Sequence, residues 1–272
     1  MEKIKNKIAI IGCGNIGSAI AEVLLDSKVT TPSKLILTKR NLSTLNKFGD
    51  RGVAITQDNV EAVKKSSIIL LAVTPQKLDA ILDEIKEKVN PKKHIILSVI
   101  TGANISEFKN KLGNEMPVVR VMPNTAIAIK ESMTCISANK EDLSSLKVAE
   151  MIFNTVGKTA VINEDLMGPA TALVACGIAF FLRAIRAAGQ GGTEIGFHAE
   201  DAIKMAAQTA KGAASLLANG GYHPEREIDK VTTPQGLTIT GLNQMEHHGF
   251  SSAMITGIVS SAKRAETIFK KD

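Results

Sequence analysis

Short apolar, β-branched runs alternate with helix-length segments through the first 121 residues of this chain. Strands that are apolar on both faces and separated by helices are typical of a buried parallel sheet with right-handed crossovers. Two later runs, Met133–Ser137 and Lys158–Ile162, are expected to extend that sheet at one edge. The pattern therefore predicts a doubly wound, mostly parallel α/β fold, with six strands at Lys7–Ile11, Lys34–Thr38, Val53–Thr56, Ile68–Val73, His94–Val99 and Val118–Val121.

The strand pattern stops after residue 162, and the rest of the chain is predicted to be all-α. The domains are accordingly expected at residues 1–162 and 163–272. Glu164 and Asp165, at this junction, are expected to cap the helix that follows. A helical module this small and rich in Ala and Gly is expected to complete its core against a second copy of the chain, which predicts a homodimer. Four helices are predicted, at Leu166–Ala188, Ala199–Ala218, Ile239–His247 and Ser251–Lys270, with breaks at 189–192 and 219–221.

A glycine-rich turn follows the first predicted strand and opens a predicted helix, Asn15–Asp26. In a dinucleotide-binding G-x-G-x-x-G turn, the first glycine makes the tight turn, the second admits the pyrophosphate and the third lets the helix pack on the strand. This context predicts a Rossmann-type domain whose cofactor contacts include Gly12, Cys13, Gly14, Asn15, Ile16 and Gly17.

The end of the second strand indicates which dinucleotide binds. A site for NAD usually places Asp or Glu there, to hold the ribose 2′-hydroxyl. This chain has Thr38, Lys39, Arg40 and Asn41 instead, which suit a 2′-phosphate. We therefore expect NADPH, with NADH as a weaker possibility; a solvated basic turn is the alternative.

Ligands of doubly wound sheets lie at the carboxyl ends of the strands. Ala72, Val73, Thr74 and Pro75 end the fourth strand and are expected to contact the cofactor. After the sixth strand, Met122 and Asn124 are candidate contacts of a nicotinamide ring. Pro and Asn also favour turns for local reasons, so loop structure is the alternative.

A turn between residues 231 and 242 delivers a hydroxyl and free backbone N–H groups. Thr238 stands where an N-cap is expected, before a helix that begins at Ile239. The first N–H groups of a helix have no internal partner and can bind a carboxylate. The predicted substrate contacts are Thr233, Gln235, Gly236, Leu237 and Thr238, and Thr238 is the candidate catalytic residue.

Composition excludes several other classes. The three cysteines are widely spaced, which argues against a disulfide framework or a zinc site, and no metal is expected. With no Trp and one Tyr, the chain lacks a stacking platform for nucleic acid. The longest nearly apolar run, Ala172–Leu182, is too short to span a bilayer, so no membrane association and a cytoplasmic location are expected.

The order of motifs resembles the pyrroline-5-carboxylate reductase family almost from end to end. The resemblance lies in Gly12-x-Gly14-x-x-Gly17-x-Ala19, Ala72-Val73-x-Pro75-Gln76, Arg120-Val121-Met122-Pro123-Asn124-Thr125, Gln208-Thr209-x-x-Gly212-Ala213-Ala214 and Val231-Thr232-x-Pro234-x-Gly236-x-Thr238. It implies a Rossmann domain joined to an all-helical dimerisation domain, with dimers that assemble further in some members. It also implies NAD(P)H-dependent reduction of 1-pyrroline-5-carboxylate to L-proline. Cofactor roles carry over to Gly12, Gly14, Gly17, Arg40, Asn59, Ala72 and Pro75, and substrate or proton-donor roles to Gly236 and Thr238.

The chain departs from the family's pattern at several positions. Thr74 stands where the family has Lys, Gln235 replaces a Gly and Leu237 replaces a Thr; residues 175–179 lose a hydroxyl (Cys176) and a proline (Ile178). Two alternatives stay open, the second of them because of Gln235 and Leu237. One is a β-hydroxyacid dehydrogenase, which would use a lysine acid such as Lys204 or Lys211, and the other is a non-catalytic cofactor-binding paralogue. A histidine acid, from His223, His247 or His248, is a further possibility.

Overall fold

The computed structural model describes residues 4–268 of the chain, so the last two residues of the predicted helix at 251–270 lie outside the described part. Its centre is one eight-stranded sheet in the order β3-β2-β1-β4-β5-β6-β7-β8. Neighbouring strands are parallel except for β6 and β7, which run antiparallel. All the predicted strands are present, including the two at one edge. Their bounds are β1 Ile8–Ile11, β2 Leu35–Thr38, β3 Ala54–Thr56, β4 Ile68–Leu71, β5 Ile95–Ser98, β6 Val118–Met122, β7 Ser132–Ala138 and β8 Gly157–Val161.

Helices connect the strands and continue to the end of the described chain. They are α1 Asn15–Asp26, α2 Asn46–Gly49, α3 Asn59–Lys64, α4 Leu78–Ile85, α5 Ile105–Leu112, α6 Leu143–Phe153, α7 Met167–Ala170, α8 Gly177–Glu194, α9 Ala199–Gly220, α10 Pro224–Lys230, α11 Leu237–His247 and α12 Phe250–Ile268. A π-helix, Thr171–Cys176, joins α7 to α8. Short 3-10 helices lie at Pro32–Lys34, Leu42–Leu45, Pro75–Lys77, Thr125–Ile129, Lys140–Asp142 and Glu164–Leu166.

The sheet is covered on both faces, as continuous apolar strands predict. One core cluster contains Ile8, Ile10 and Leu70. The other contains Ile11, Ile69 and Leu71, the residues that alternate with these along β1 and β4. Because successive side chains of a strand point to opposite faces, the two clusters are the two sides of one sheet. Because β1 pairs in parallel with β2 on one side and with β4 on the other, the carboxyl ends of these three strands lie side by side.

Contacts divide the molecule into two compact units. Cys176–Ser261 forms one unit, and the rest of the described chain forms the other. Within the helical unit, α8 packs on α9. The predicted helix break at residues 189–192 is wrong, because α8 continues to Glu194. These glycines instead make room for α9: a Cβ on Gly189 would lie 3.0 Å from Ile203 Cδ1, and one on Gly192 would lie 3.0 Å from Ala202 Cβ.

One helical stretch, Glu164–Glu194, is 31 residues long and is apolar enough to cross a membrane by length and composition alone. The sequence prediction rested on the short run Ala172–Leu182, whereas the helical stretch that contains this run is longer and is not interrupted at Gly177. Large apolar side chains on and after it are exposed, among them Phe181, Leu182 and Ile195. Helix α10 was missed by the sequence prediction, although His223 caps it by accepting from the N–H of Glu225 and Pro224 is its first residue.

Candidate functional site

The glycine turn after β1 has the geometry that its sequence predicts. Gly12 has a φ of +85°, and a Cβ there would overlap the Val73 side chain. A Cβ on Gly17 would lie 3.2 Å from Ile10 Cγ2, so this glycine lets α1 pack directly on β1. Gly14 faces open space apart from Gly12 O, 4.0 Å from where its Cβ would be. The second glycine therefore leaves room for a ligand beside the backbone.

A cavity of about 540 Å³ opens over this turn. Most of its lining comes from the carboxyl ends of β1, β2, β3 and β4, the edge at which doubly wound sheets bind ligands. Nine predicted cofactor residues line it: Gly12, Gly14, Thr38, Lys39, Arg40, Asn59, Ala72, Val73 and Thr74. Asn41, which the sequence placed beside them as a possible donor, lines it too, together with five residues that were not predicted: Ile11, Gln57, Lys77, Ala80 and Ile81. A volume of this size suits one small-molecule ligand.

Hydrogen bonds hold the polar end of the cavity in place. The Thr38 hydroxyl donates to Asn59 Oδ1 at 2.6 Å, and the Gly12 N–H points at the same hydroxyl oxygen at 3.4 Å. Asn59 Nδ2 in turn donates to Glu84 Oε2 at 2.9 Å. Gln57 Nε2 donates to the carbonyl of Arg40 at 2.6 Å, which fixes the backbone of the basic turn. Asn59 thus orients Thr38 in the cavity wall.

The cavity is electropositive. Lys39, Arg40 and Lys77 line it, and none of its lining residues is acidic. Within residues 4–268 no ion pair engages Lys39 or Arg40. Helix α1 begins at the same turn without a side-chain cap, so its first N–H groups are free to bind an anion. The site combines free cations with free amides, which suits a phosphate-bearing ligand.

The other predicted cofactor residues lie outside the cavity lining. Asn15, Ile16 and Gly17 form the first turn of α1, and Pro75 begins the 3-10 helix after β4. Cys13 is fully buried, with its Sγ 3.6 Å from Ser18 Oγ, and burial raises the pKa of its thiol. Its side chain thus belongs to the core, and only its backbone belongs to the turn.

Met122 and Asn124 also lie apart from the cavity, next to the π-helix. Asn124 Oδ1 accepts from the N–H of Ala126, and its Nδ2 points at the carbonyl of Val174 at 3.4 Å. Thr171 Oγ1 lies 2.8 Å from Met122 Sδ. Val174 belongs to the π-helix, so Asn124 links the end of β6 to that segment. These bonds give the Asn124 side chain a structural role, and its contact with a nicotinamide ring stays a prediction.

The sequence predicted that Glu164 caps its own helix, and the structure shows that it does not. The 3-10 helix Glu164–Leu166 has Asn163 at its N-cap, and no side chain caps it. Glu164 Oε1 accepts from the N–H of Ile105 at 2.7 Å and pairs with Arg120 Nη1 at 3.1 Å. The free N–H at the start of α5 and a nearly buried guanidinium offer this carboxylate better partners than its own helix does.

The turn at residues 233–238 differs from the prediction in one respect. Gly236 is the N-cap of α11 and Leu237 is its first residue, so Thr238 lies inside the first turn. The reason is a tight turn closed by Gly236 N–H to Thr233 O at 2.9 Å, in which a Cβ on Gly236 would overlap Thr233 Oγ1. Gln235 adopts a φ of +56°, which costs a residue with a Cβ about 1 kcal/mol.

The start of α11 is nevertheless open. No side chain caps it, and Thr238 is exposed. Leu237 is 94% exposed. Within residues 4–268, the first N–H groups of this helix therefore have no side-chain partner, as predicted. Thr233, Gln235, Gly236, Leu237 and Thr238 lie together in this one turn.

The structure gives no support for a metal site or for the histidines and lysines considered as general acids, within the part of the chain that it describes. Among the described residues no group of His, Cys, Asp and Glu is placed to hold a metal ion. His223 caps α10, and His247 and His248 stack edge to face at the end of α11. Lys204 lies on the exposed surface of α9, 3.9 Å from Asp201, and Lys211 is exposed on the same helix. Neither lysine lines the cavity over the glycine turn.

Comparison with known proteins gives a consistent result. A family model described as pyrroline-5-carboxylate reductase dimerisation matches residues 164–268, and one described as NADP oxidoreductase coenzyme F420-dependent matches residues 7–102. Pyrroline-5-carboxylate reductase 1 of Dictyostelium discoideum is 52% identical over 99% of this chain, which spans 51% of that relative's length. Pyrroline-5-carboxylate reductase 2 of the same organism is 47% identical, covering 97% of this chain and 93% of its own. A solved pyrroline-5-carboxylate reductase from Coxiella burnetii superposes with a TM-score of 0.92 at 26% identity, covering 99% of this chain and 100% of its own.

Proposed function

This chain belongs to the pyrroline-5-carboxylate reductase family, and we propose that it reduces the C=N bond of 1-pyrroline-5-carboxylate to give L-proline with NADPH. The observation that carries the proposal is the cavity over the glycine turn, which is lined by three cations and no acid. A reductase needs such a site for its cofactor. The family membership supplies the reaction class.

The cavity fits a nicotinamide dinucleotide phosphate. Gly14 leaves open space beside the backbone, and the uncapped start of α1 offers N–H groups to a pyrophosphate. Lys39 and Arg40, at the end of β2, suit a 2′-phosphate. When bound, the reduced nicotinamide supplies the hydride that the C=N carbon accepts. The chain's own part is to bind and orient the cofactor and the imine.

The turn at the start of α11 is the proposed substrate site. Its free N–H groups suit the carboxylate of the imine acid, with Thr233, Gln235, Gly236 and Leu237 around it. Thr238 presents a hydroxyl on the first turn of that helix. Since a Thr hydroxyl has too high a pKa to be a good general acid at neutral pH, we assign it to positioning the imine first and to proton donation second.

We further propose that the helical region forms a homodimer, with dimers able to assemble further. Its large apolar side chains at Phe181, Leu182, Ile195 and Ile255 are exposed in the single chain, which is unfavourable in water. A second copy would cover them, and such a contact also accounts for the apolar character of Glu164–Glu194. A cytoplasmic location is part of the proposal, since Cys13, Cys135 and Cys176 are all free thiols.

The test follows the NADPH concentration by its absorbance at 340 nm in two assays, one for NADPH oxidation and one for NADP⁺ reduction. We expect 1-pyrroline-5-carboxylate to drive NADPH oxidation and NADP⁺ reduction by a 3-hydroxy acid to be absent. The reverse result would favour a β-hydroxyacid dehydrogenase, and tight NADPH binding without turnover would favour a non-catalytic paralogue. Light scattering on the same sample tests the dimer, which a strictly monomeric mass would refute.

A further inference from the structure

Lys77 is a third cation of the cofactor cavity, and it comes from the side opposite to Lys39 and Arg40. In the sheet, β1 lies between β2 and β4. Lys39 and Arg40 follow β2, whereas Lys77 ends the 3-10 helix after β4. The glycine turn follows β1, so cations approach it from both of its neighbours.

The segment that carries Lys77 is packed tightly on the glycine turn. A Cβ on Gly12 would lie 3.0 Å from Ala72 O and would overlap the Val73 side chain. Ala80 and Ile81, in the first turn of α4, line the same cavity as Lys77. Because Ile81 lies four residues after Lys77, the two belong to one face of this helical segment. This face, defined by Lys77, Ala80 and Ile81, is turned to the cavity.

The ammonium group of Lys77 has no carboxylate partner within the described chain. Its side chain is exposed, and no ion pair of residues 4–268 includes it. The Glu84 carboxylate, on the same helix α4, accepts from Asn59 Nδ2 at 2.9 Å and forms no ion pair with Lys77. Lys77 is therefore available to an anion in the cavity.

We infer that Lys77 binds the pyrophosphate of the dinucleotide cofactor and so strengthens binding of NADPH and NADH alike. The inference rests on the proposed function, because it takes the cavity to be the cofactor site. A dinucleotide lays its pyrophosphate on the glycine turn and its ribose 2′ position at the end of the second strand. The β4 segment directly abuts the glycine turn, so its cation serves the pyrophosphate, and the cations of β2 serve the 2′-phosphate. Lys77 accordingly sets affinity, and Lys39 and Arg40 set the preference for NADPH.

The experiment compares binding of three ligands to the full chain by isothermal titration calorimetry. NADPH carries both phosphate groups, NADH carries only the pyrophosphate, and adenosine 2′-monophosphate carries only the 2′-phosphate. The variant is Lys77→Met, which keeps the length of the side chain and removes its charge. The matched control is Lys88→Met, an exposed lysine just beyond the other end of α4 that does not line the cofactor cavity and forms no ion pair in the described chain.

We expect Lys77→Met to raise the dissociation constants of NADPH and NADH by the same factor, about tenfold, as for loss of one charge-assisted hydrogen bond. Binding of adenosine 2′-monophosphate should stay at the wild-type value, which also shows that the cavity is folded. The Lys88→Met control should bind all three ligands as the wild type does. Equal affinities in Lys77→Met and Lys88→Met would overturn the inference, as would a loss confined to NADPH. If the wild type bound neither dinucleotide, the proposed function would fail, and the inference about Lys77 would be overturned with it.

Discussion

The Glu164 carboxylate holds Arg120 in place: Glu164 Oε1 lies 3.1 Å from Arg120 Nη1. The Arg120 side chain is only 9% exposed, and it also donates to Asn104 Oδ1 at 3.0 Å. The same carboxylate oxygen accepts from the first N–H of α5, at Ile105. Arg120 belongs to β6, so one carboxylate ties the start of the first C-terminal helical segment to the sheet and to α5.

Replacing Glu164 is therefore expected to destabilise the protein. Glu164→Ala removes the ion-pair partner of a nearly buried guanidinium and the acceptor of a helix N–H, and we expect a loss of about 2–3 kcal/mol of unfolding free energy. Glu164→Gln keeps an acceptor and should lose less. Asp165→Ala, at the exposed neighbouring carboxylate, is the control and should change stability by less than about 0.5 kcal/mol. Urea unfolding measures all three, and equal stability of Glu164→Ala and Asp165→Ala would contradict the role of Glu164.

Arg40 is expected to set cofactor preference. Arg40→Gln removes a cation that lines the cavity and has no ion-pair partner in residues 4–268, so we expect the KM for NADPH to rise about tenfold. NADH has no 2′-phosphate, and its KM serves as the internal control and should stay within twofold. A rise of both KM values by one factor would assign Arg40 to another part of the cofactor.

Substitution of Thr238 distinguishes a role in positioning the imine from a role in proton donation. If its hydroxyl only orients the imine, Thr238→Ala should raise the KM for 1-pyrroline-5-carboxylate several-fold and leave kcat nearly unchanged, because the backbone N–H groups of α11 remain. Loss of a proton donor would instead lower kcat by at least about 100-fold. Thr238→Ser keeps the hydroxyl and should restore the wild-type values. Both roles would be gone if the Ala variant had unchanged steady-state constants.

His94 is expected to make stability depend on pH. It is buried before β5, and its Nδ1 accepts from the N–H of Asn90 at 2.8 Å. Burial, followed by the nearby charge of Lys93, lowers the pKa of His94 below its usual range. The unfolded chain therefore binds a proton more readily, so the stabilising effect of neutral His94 is complete above about pH 6.5 and declines as the pH falls below it.

The measurement is unfolding free energy in urea between pH 7.5 and pH 5. The wild type should lose stability more steeply than His94→Gln, by at most about 1.4 kcal/mol per pH unit, the limit for one proton. The difference between the two proteins removes the contribution of every other titrating group. Parallel pH profiles would show that His94 does not titrate differently in the folded protein.

The sheet could be predicted from the sequence, because its strands are buried on both faces and therefore appear as continuous apolar runs between helices. Gly12, Gly17 and the bounds of α1 followed from the same local pattern. The sequence prediction failed where tertiary contacts override local signals. Residues 189–192 look like a loop, but their glycines let α8 and α9 approach closely. Glu164 looks like a local cap, but Arg120 and Ile105 are its partners.

The candidate site shows the same division. Thr38, Lys39 and Arg40 were predictable, since they directly follow a strand beside the glycine turn. Gln57 and Asn59 both follow β3, and the strand-end rule that led to Thr38 could have found Gln57. Lys77 and Ile81 lie on one helical face. This face is directed to the cavity because of how α4 packs, which the local sequence does not show. Thr238 was misplaced by two residues because the Gly236 turn depends on a backbone conformation that composition does not reveal.

The most direct test of the account is the fate of the transferred hydrogen. The purified protein would be given 1-pyrroline-5-carboxylate and NADPH that carries deuterium at the transferred C4 position, and the product examined by mass spectrometry and proton NMR. We predict L-proline with one deuterium, located at C5. Unlabelled proline, or no proline in the presence of bound NADPH, would contradict the claim that this chain is an NADPH-dependent imine reductase.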